Sequence, residues 1–105
     1  MKPITFILGF ALLATSGCIN MKVTDGTRPP TQHVDLFKND QIPARKFREI
    51  AELSVSGERD NEGRAEKRFI REAKNLGGDG LIFEVVPAKS SNSEYVFKGR
   101  VIVYQ

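Results

Sequence analysis

Few side chains in this 105-residue sequence are of a type and spacing that could carry out covalent or proton-transfer chemistry. There is one cysteine, Cys18, and one histidine, His33. A serine becomes a nucleophile only beside a base, and for Ser54 or Ser56 that base would have to be His33. A metal centre would rest on His33 and carboxylates alone, because no second His or Cys accompanies it. Glu49 and Glu52 have the spacing of a paired acid and base, yet they stand among Arg45, Lys46 and Arg48 and read as surface charges. The run Leu76-Gly77-Gly78-Asp79-Gly80 lacks the Lys-Ser/Thr of a phosphate loop, and it follows a helical pattern instead of opening one, which makes it a turn. With no nucleophile–base pair and no ligand cluster, the expectation is a protein that is not an enzyme and takes no cofactor or metal.

Cys18 is different, because its neighbours supply a context. Ahead of it, Met1-Lys2-Pro3 places one positive charge before an uncharged apolar run, Ile4 to Leu13, and the chain then passes through Ala14-Thr15-Ser16-Gly17 to Cys18. The run is about half the ~20 apolar residues of a membrane span and fits the h-region of a secretory signal peptide. A small pair directly before a cysteine at the end of an h-region resembles the lipobox of bacterial lipoproteins, with Thr15 where that family usually carries Leu, Val or Ile. The resemblance implies that residues 1–17 are removed and that Cys18 is acylated, anchoring the protein to a membrane. Ile19 in place of Asp after the cysteine implies sorting to the outer membrane, facing the periplasm. Removing Lys2 lowers the net charge of +3 by one, too slight a basicity to argue for nucleic acid. With Cys18 acylated no disulfide can form within the chain, so packing alone must hold the fold.

The elements that would position any surface follow from periodicity. Residues 18–32 hold Gly26 and the Pro29-Pro30 pair without a sustained period, and read as the lipidated cysteine and an extended tether reaching up to ~45 Å, the alternative being an edge strand at Met21–Thr24. The domain proper is expected over residues 33–105. His33–Phe37 is a β-prone run ending in the turn signal Lys38-Asn39-Asp40, and Phe47–Ser56 alternates, with Ala51, Leu53 and Val55 on one face, until Gly57. Asp60 or Asn61 can cap a helix in which Ala65, Phe69, Ile70, Ala73 and Leu76 form an apolar stripe ~140° wide, stopped by Gly77. Leu81–Val86, a polar loop at Lys89–Ser93, and Tyr95–Tyr104 complete a ββαββ order. The fold class expected is α+β: one helix on a mostly antiparallel sheet, after a cleaved lipoprotein signal peptide.

The stretch from Ile50 to Val86 is similar to small bacterial envelope domains of the RcsF-like and YbjQ-like kind. The resemblance is carried by Ala73, Leu76, Gly77, Gly78, Asp79 and Gly80, where a helix closes in a glycine turn that feeds a strand. It implies an α+β envelope domain, a tendency to oligomerise and a possible part in envelope-stress sensing. RcsF-type sensors carry disulfides, which a chain with one cysteine cannot form.

Two surfaces are candidates for binding. Arg64, Lys67, Arg68, Arg71 and Lys74 project from the helix opposite its apolar stripe, within an arc of ~120°, and suit lipid headgroups or an anionic envelope polymer. Ile50, Ile82, Val86, Ile102 and Tyr104 would populate the sheet face that one helix cannot cover. Left bare, they would form an apolar patch suited to an envelope protein partner or a second copy of the chain, unless the tether or residues 38–46 cover them. Protein–protein contact through that sheet face is the leading expectation, and anionic binding by the helix is the alternative.

Overall fold

The computed structural model describes residues 19–89 and 94–105. The expected leader and Cys18 precede this range, and residues 90–93 of the expected polar loop also lie outside it. The elements are β1 (Asn20–Val23), β2 (Asp35–Phe37), β3 (Phe47–Glu58), a 3-10 turn (Arg59–Asn61), α1 (Glu62–Asn75), β4 (Gly80–Pro87) and β5 (Glu94–Tyr104). They form one five-stranded mixed sheet in the order β1-β3-β5-β4-β2, with α1 packed on one face. Only the β2–β4 pairing is parallel. No helix of the described residues is long and apolar enough to cross a membrane.

The core lies between α1 and the sheet. Ala51 and Leu53 of β3, Leu81 and Phe83 of β4, and Phe97, Val101 and Val103 of β5 meet Ala65, Phe69 and Ala73 of the helix. Alternation explains the membership, since every second residue of a strand faces the same side. Phe69 stands edge-on to Phe83 (5.7 Å, 66°), and Phe83 stacks on Phe97 (6.4 Å, 9°), so three buried rings form the centre. Burial of each ring contributes ~1.5–3 kcal/mol relative to exposure.

Four expectations are corrected. First, residues 19–32 are not a free tether: β1 pairs antiparallel with β3 from Asn20 opposite Ser54 to Val23 opposite Ala51. The chain then runs as a strap to the far end of the helix, so the sheet has five strands where four were expected. Second, β3 does not stop at Gly57, because Gly57 and Glu58 remain paired with Tyr95 and Glu94 of β5. Third, neither Asp60 nor Asn61 caps α1 through its side chain: Asp60 lies in the 3-10 turn, and Asn61, at φ −89° and ψ 2°, lacks the extended geometry that aims a capping side chain at the first turn. Fourth, Ile50 does not lie on the helix-free face. A register shift between Glu49 and Ala51 inserts Ile50 as an extra residue, and it joins the core cluster with zero exposure.

The glycine stop of the helix is a hydrogen-bonded motif. Gly77 adopts φ +79°, its N–H donates to Lys74 O (3.1 Å), and the Gly78 N–H donates to Ala73 O (2.8 Å), the paired bonds of a Schellman ending. The strap closes over this end. The Arg28 Nε–H donates to Gly77 O (2.9 Å), the Thr31 N–H to Lys74 O (2.9 Å) and the Thr31 hydroxyl to Gly78 O (2.6 Å). These donors satisfy carbonyls that a helix C-terminus otherwise leaves to water, and the Arg28 cation sits at the negative end of the dipole.

Candidate functional site

The outer face of α1 presents the five cations named from the sequence. Ala65, Phe69 and Ala73 turn into the core, so residues about half a turn away must point outward. Arg64, Lys67 and Arg71 are exposed, and Arg68 and Lys74 are half-buried. What the sequence could not show is the fate of the helix's carboxylates. Lys38, arriving from the end of β2, lies 2.8 Å from Glu66 and 3.8 Å from Glu62, and Arg59 lies 3.3 Å from Glu62. The hydrogen bond to Glu66 raises the Lys38 pKa, holding it as the cation. Among the described residues none of Arg64, Lys67, Arg68, Arg71 and Lys74 makes an ion pair. Cations from outside the helix thus neutralise its acidic flank, and its own basic residues stay uncompensated apart from the half-buried Glu72. Arg64 and Arg68 also border a cleft of about 120 Å³ with Val55, Ser56, Asn61, Ala65 and Phe97.

The helix-free face of the sheet does not carry the expected apolar patch. Ile50 is in the core, and Ile102 is wholly buried; its side chain and the Phe37 ring both close on Gly80, where a Cβ would lie 3.1 Å from Ile102 Cγ1 and 3.2 Å from Phe37 Cε2. Ile82 is 8% exposed, and Val86 and Tyr104 are half-buried. The Arg45 guanidinium, from the segment between β2 and β3, covers the Tyr104 ring at 4.2 Å. The remainder of this face is a groove of about 410 Å³ walled by Lys22, Glu52, Glu84, Lys98 and Arg100, with Ser54 and Ile82 also in its lining. Glu49 belongs to the same charged surface through its ion pair with Arg100 (2.9 Å).

A third cluster was missed because its members lie far apart in sequence. Asp35 accepts the Tyr104 hydroxyl at Oδ2 (2.6 Å) and lies 2.7 Å from His33 Nε2 at Oδ1, while Asp79 Oδ2 accepts the Tyr104 N–H (2.9 Å). The Tyr104 hydroxyl, and His33 after it, hold the Asp35 pKa below its ordinary value, so the carboxylate is ionised and His33 Nε2 is the donor. Burial first, and Asp35 second, push the phenol of Tyr104 up to about 12. It is therefore a neutral donor clasping β2 to β5. Nothing here activates a nucleophile. Asp35 is level with Gly80 and Ile102, whereas Ser54 is level with Lys98, four residues or ~13 Å along β5, so His33 stands away from Ser54.

The glycine run is a structural turn. Its Gly77, Gly78 and Asp79 N–H groups donate to Lys74, Ala73 and Ile102 carbonyls, leaving no cradle of free donors for a phosphate. Among the described residues no group of three His, Cys, Asp or Glu side chains is placed to hold a metal ion. No family model matches the chain, and neither a curated protein nor a solved structure is significantly similar to it.

Proposed function

We propose that the chain is a lipid-anchored module of the bacterial cell envelope that works by binding, not catalysis, and that its working surface is the outer face of α1. The observation that carries this reading is the set of five cations without carboxylate partners among the described residues, beside acidic neighbours already engaged by Lys38 and Arg59. Such a face attracts the phosphates and carboxylates of lipid headgroups or an anionic envelope polymer, at ~1 kcal/mol per basic residue near an anionic surface. In this reading residues 1–17 are a signal peptide, Cys18 carries the acyl chains, and the protein sits at the outer membrane facing the periplasm. The likeness to RcsF-like and YbjQ-like envelope domains belongs to the same proposal, including a role beside a stress sensor.

A second reading is supported by the groove on the helix-free face. Its walls alternate Glu52 and Glu84 with Lys98 and Arg100, so they complement a copy of themselves or a partner of mixed charge. Contact there would join these charged walls to the apolar surface of Met21 and Ile82 between them, in place of the contact expected through Ile50, Ile82, Val86, Ile102 and Tyr104.

Replacing Arg68 and Arg71 by Glu is expected to weaken binding to anionic vesicles at least ~30-fold, the loss of two such contacts. Unchanged binding in a vesicle co-sedimentation assay would remove the helix from the proposal. Cys18→Ala is expected to move the protein from the membrane to the soluble fraction and to end metabolic acyl labelling. Continued labelling would refute the anchor. Sedimentation of the unlipidated chain separates the second reading, which requires a mass above that of one chain or a captured envelope protein.

A further inference from the structure

We infer that the domain has no spacer and is seated directly on the bilayer that holds Cys18, with Arg64 and Arg68 taking the phosphates of its anionic phospholipid headgroups. The inference rests on the lipid-anchor reading and names the partner of the helix face.

The first support is the placement of the first described residues. Ile19 packs against the core cluster, and Asn20 is already paired with Ser54. Cys18 is joined to Ile19 by a single peptide bond, so any acyl chain it carries is attached one residue from a position packed against the core. A ~45 Å tether would have let the domain roam, whereas this attachment keeps it at the surface. The second support is what stands at that point. Beyond Ser54, β3 continues through Val55 and Ser56, and these two residues form the cleft with Arg64 and Arg68. The acyl chains would thus emerge at the end of the domain where two arginines lack carboxylate partners among the described residues. A guanidinium matches a phosphate with two parallel hydrogen bonds, and a headgroup phosphate is the anion present wherever the acyl chains enter.

The third support is continuity. Lys67, Arg71 and Lys74 extend the same face along a helix ~21 Å long, so it can lie along the headgroup plane. One lipidated residue together with a basic patch is also the two-signal arrangement that makes a peripheral anchor durable. The helix-free face, with Glu52 and Glu84 in its groove, then points away from the membrane, free for a partner.

The test couples the chain from Cys18 to Gln105, which contains every described residue, through its only thiol to a maleimide phospholipid in vesicles. The vesicles are phosphatidylcholine with or without phosphatidylglycerol, and surface lysines are acylated with a water-soluble ester and counted by mass spectrometry. Lys67 and Lys74 are expected to react about five-fold more slowly on the anionic vesicles, while Lys22 and Lys98 keep the rate of the free protein. Arg64→Glu with Arg68→Glu is expected to restore Lys67 labelling with the protein still coupled and its circular dichroism unchanged. Equal labelling of Lys67 on both vesicles, or protection of Lys98 in its place, would overturn the inference. Protection of Lys67 by a soluble anionic polysaccharide, with none from phosphatidylglycerol, would overturn the headgroup assignment in favour of a polymer. Because the coupling is chemical, these results do not depend on acylation in the cell, which Cys18→Ala tests by itself.

Discussion

Substituting Gly77 separates a packed strap from a loose tether. Gly77→Ala places an L-residue at φ +79°, which costs ~1 kcal/mol. It also puts a Cβ 2.5 Å from Pro29 O and 2.6 Å from Arg28 Cβ, so the strap backbone has to move. Movement endangers three hydrogen bonds: Arg28 to Gly77 O and Thr31 to Lys74 O, both 2.9 Å, and the Thr31 hydroxyl to Gly78 O, 2.6 Å. At ~0.5–1.5 kcal/mol each, losing two or three brings the total cost to ~2–5.5 kcal/mol. Gly77→Asn divides that sum, because Asn tolerates the left-handed region but carries the same Cβ, and it should retain most of the loss. Urea unfolding followed by far-ultraviolet circular dichroism measures both. If the two variants each lose no more than ~1 kcal/mol, the strap does not bear on the helix end and the reasoning fails.

Gly99 faces the helix from β5, where a Cβ would lie 2.7 Å from Phe69 Cδ2 and 2.9 Å from Leu81 Cδ1. With Phe69 held by Phe83, Gly99→Ala should cost ~1–3 kcal/mol, and at ~4–8 °C per kcal/mol a thermal melt should fall by at least ~4 °C; an unchanged melt would contradict the packing. Tyr104 gives a pH signature: its folded pKa of about 12 exceeds the ordinary 10.0, so its contribution to stability is complete below pH 10 and is lost as pH rises towards 12, and Tyr104→Phe should flatten alkaline unfolding in that window. The Thr27 hydroxyl, with further help from its N–H and from Arg48, lowers the Asp25 pKa from 3.8 to about 2. The stabilisation is thus present above pH 3.8 and lost towards pH 2, and Thr27→Val should move acid unfolding to higher pH.

Patterns set by neighbouring residues were legible in the sequence. The stripe of Ala65, Phe69 and Ala73 and the basic outer face follow from a 3.6-residue period, and the ending at Gly77 from glycine's ease at positive φ, none of which depends on the rest of the fold. The alternation in β3 followed from a period of two in the same way, whereas β4 and β5 were legible as β-prone runs with apolar residues on both faces. Such local rules identify a helix, most of a sheet and a set of cations. They also single out Cys18, whose context is the sequence immediately before it.

Tertiary structure decided what depends on residues far apart in the chain. The Gly26 and Pro29-Pro30 segment looks unstructured on its own, yet it is ordered by carbonyls of the helix end some 45 residues away, which no local period encodes. A single extra residue at Ile50 reversed the face it was assigned to, because a bulge is visible only when the partner strand is in place. Ile50 and Ile102 are buried and Arg45 covers the Tyr104 ring, so the anticipated apolar patch is not exposed, and the neighbouring groove carries Glu52, Glu84, Lys98 and Arg100. By itself the sequence determined which surface is basic. Only the fold determined that Lys38 and Arg59 pair with the helix carboxylates Glu66 and Glu62, leaving those cations without carboxylate partners among the described residues, and that Ile19 packs against the core. The reason is physical: charge and period are properties of the chain, whereas neutralisation and burial are properties of distances between its parts.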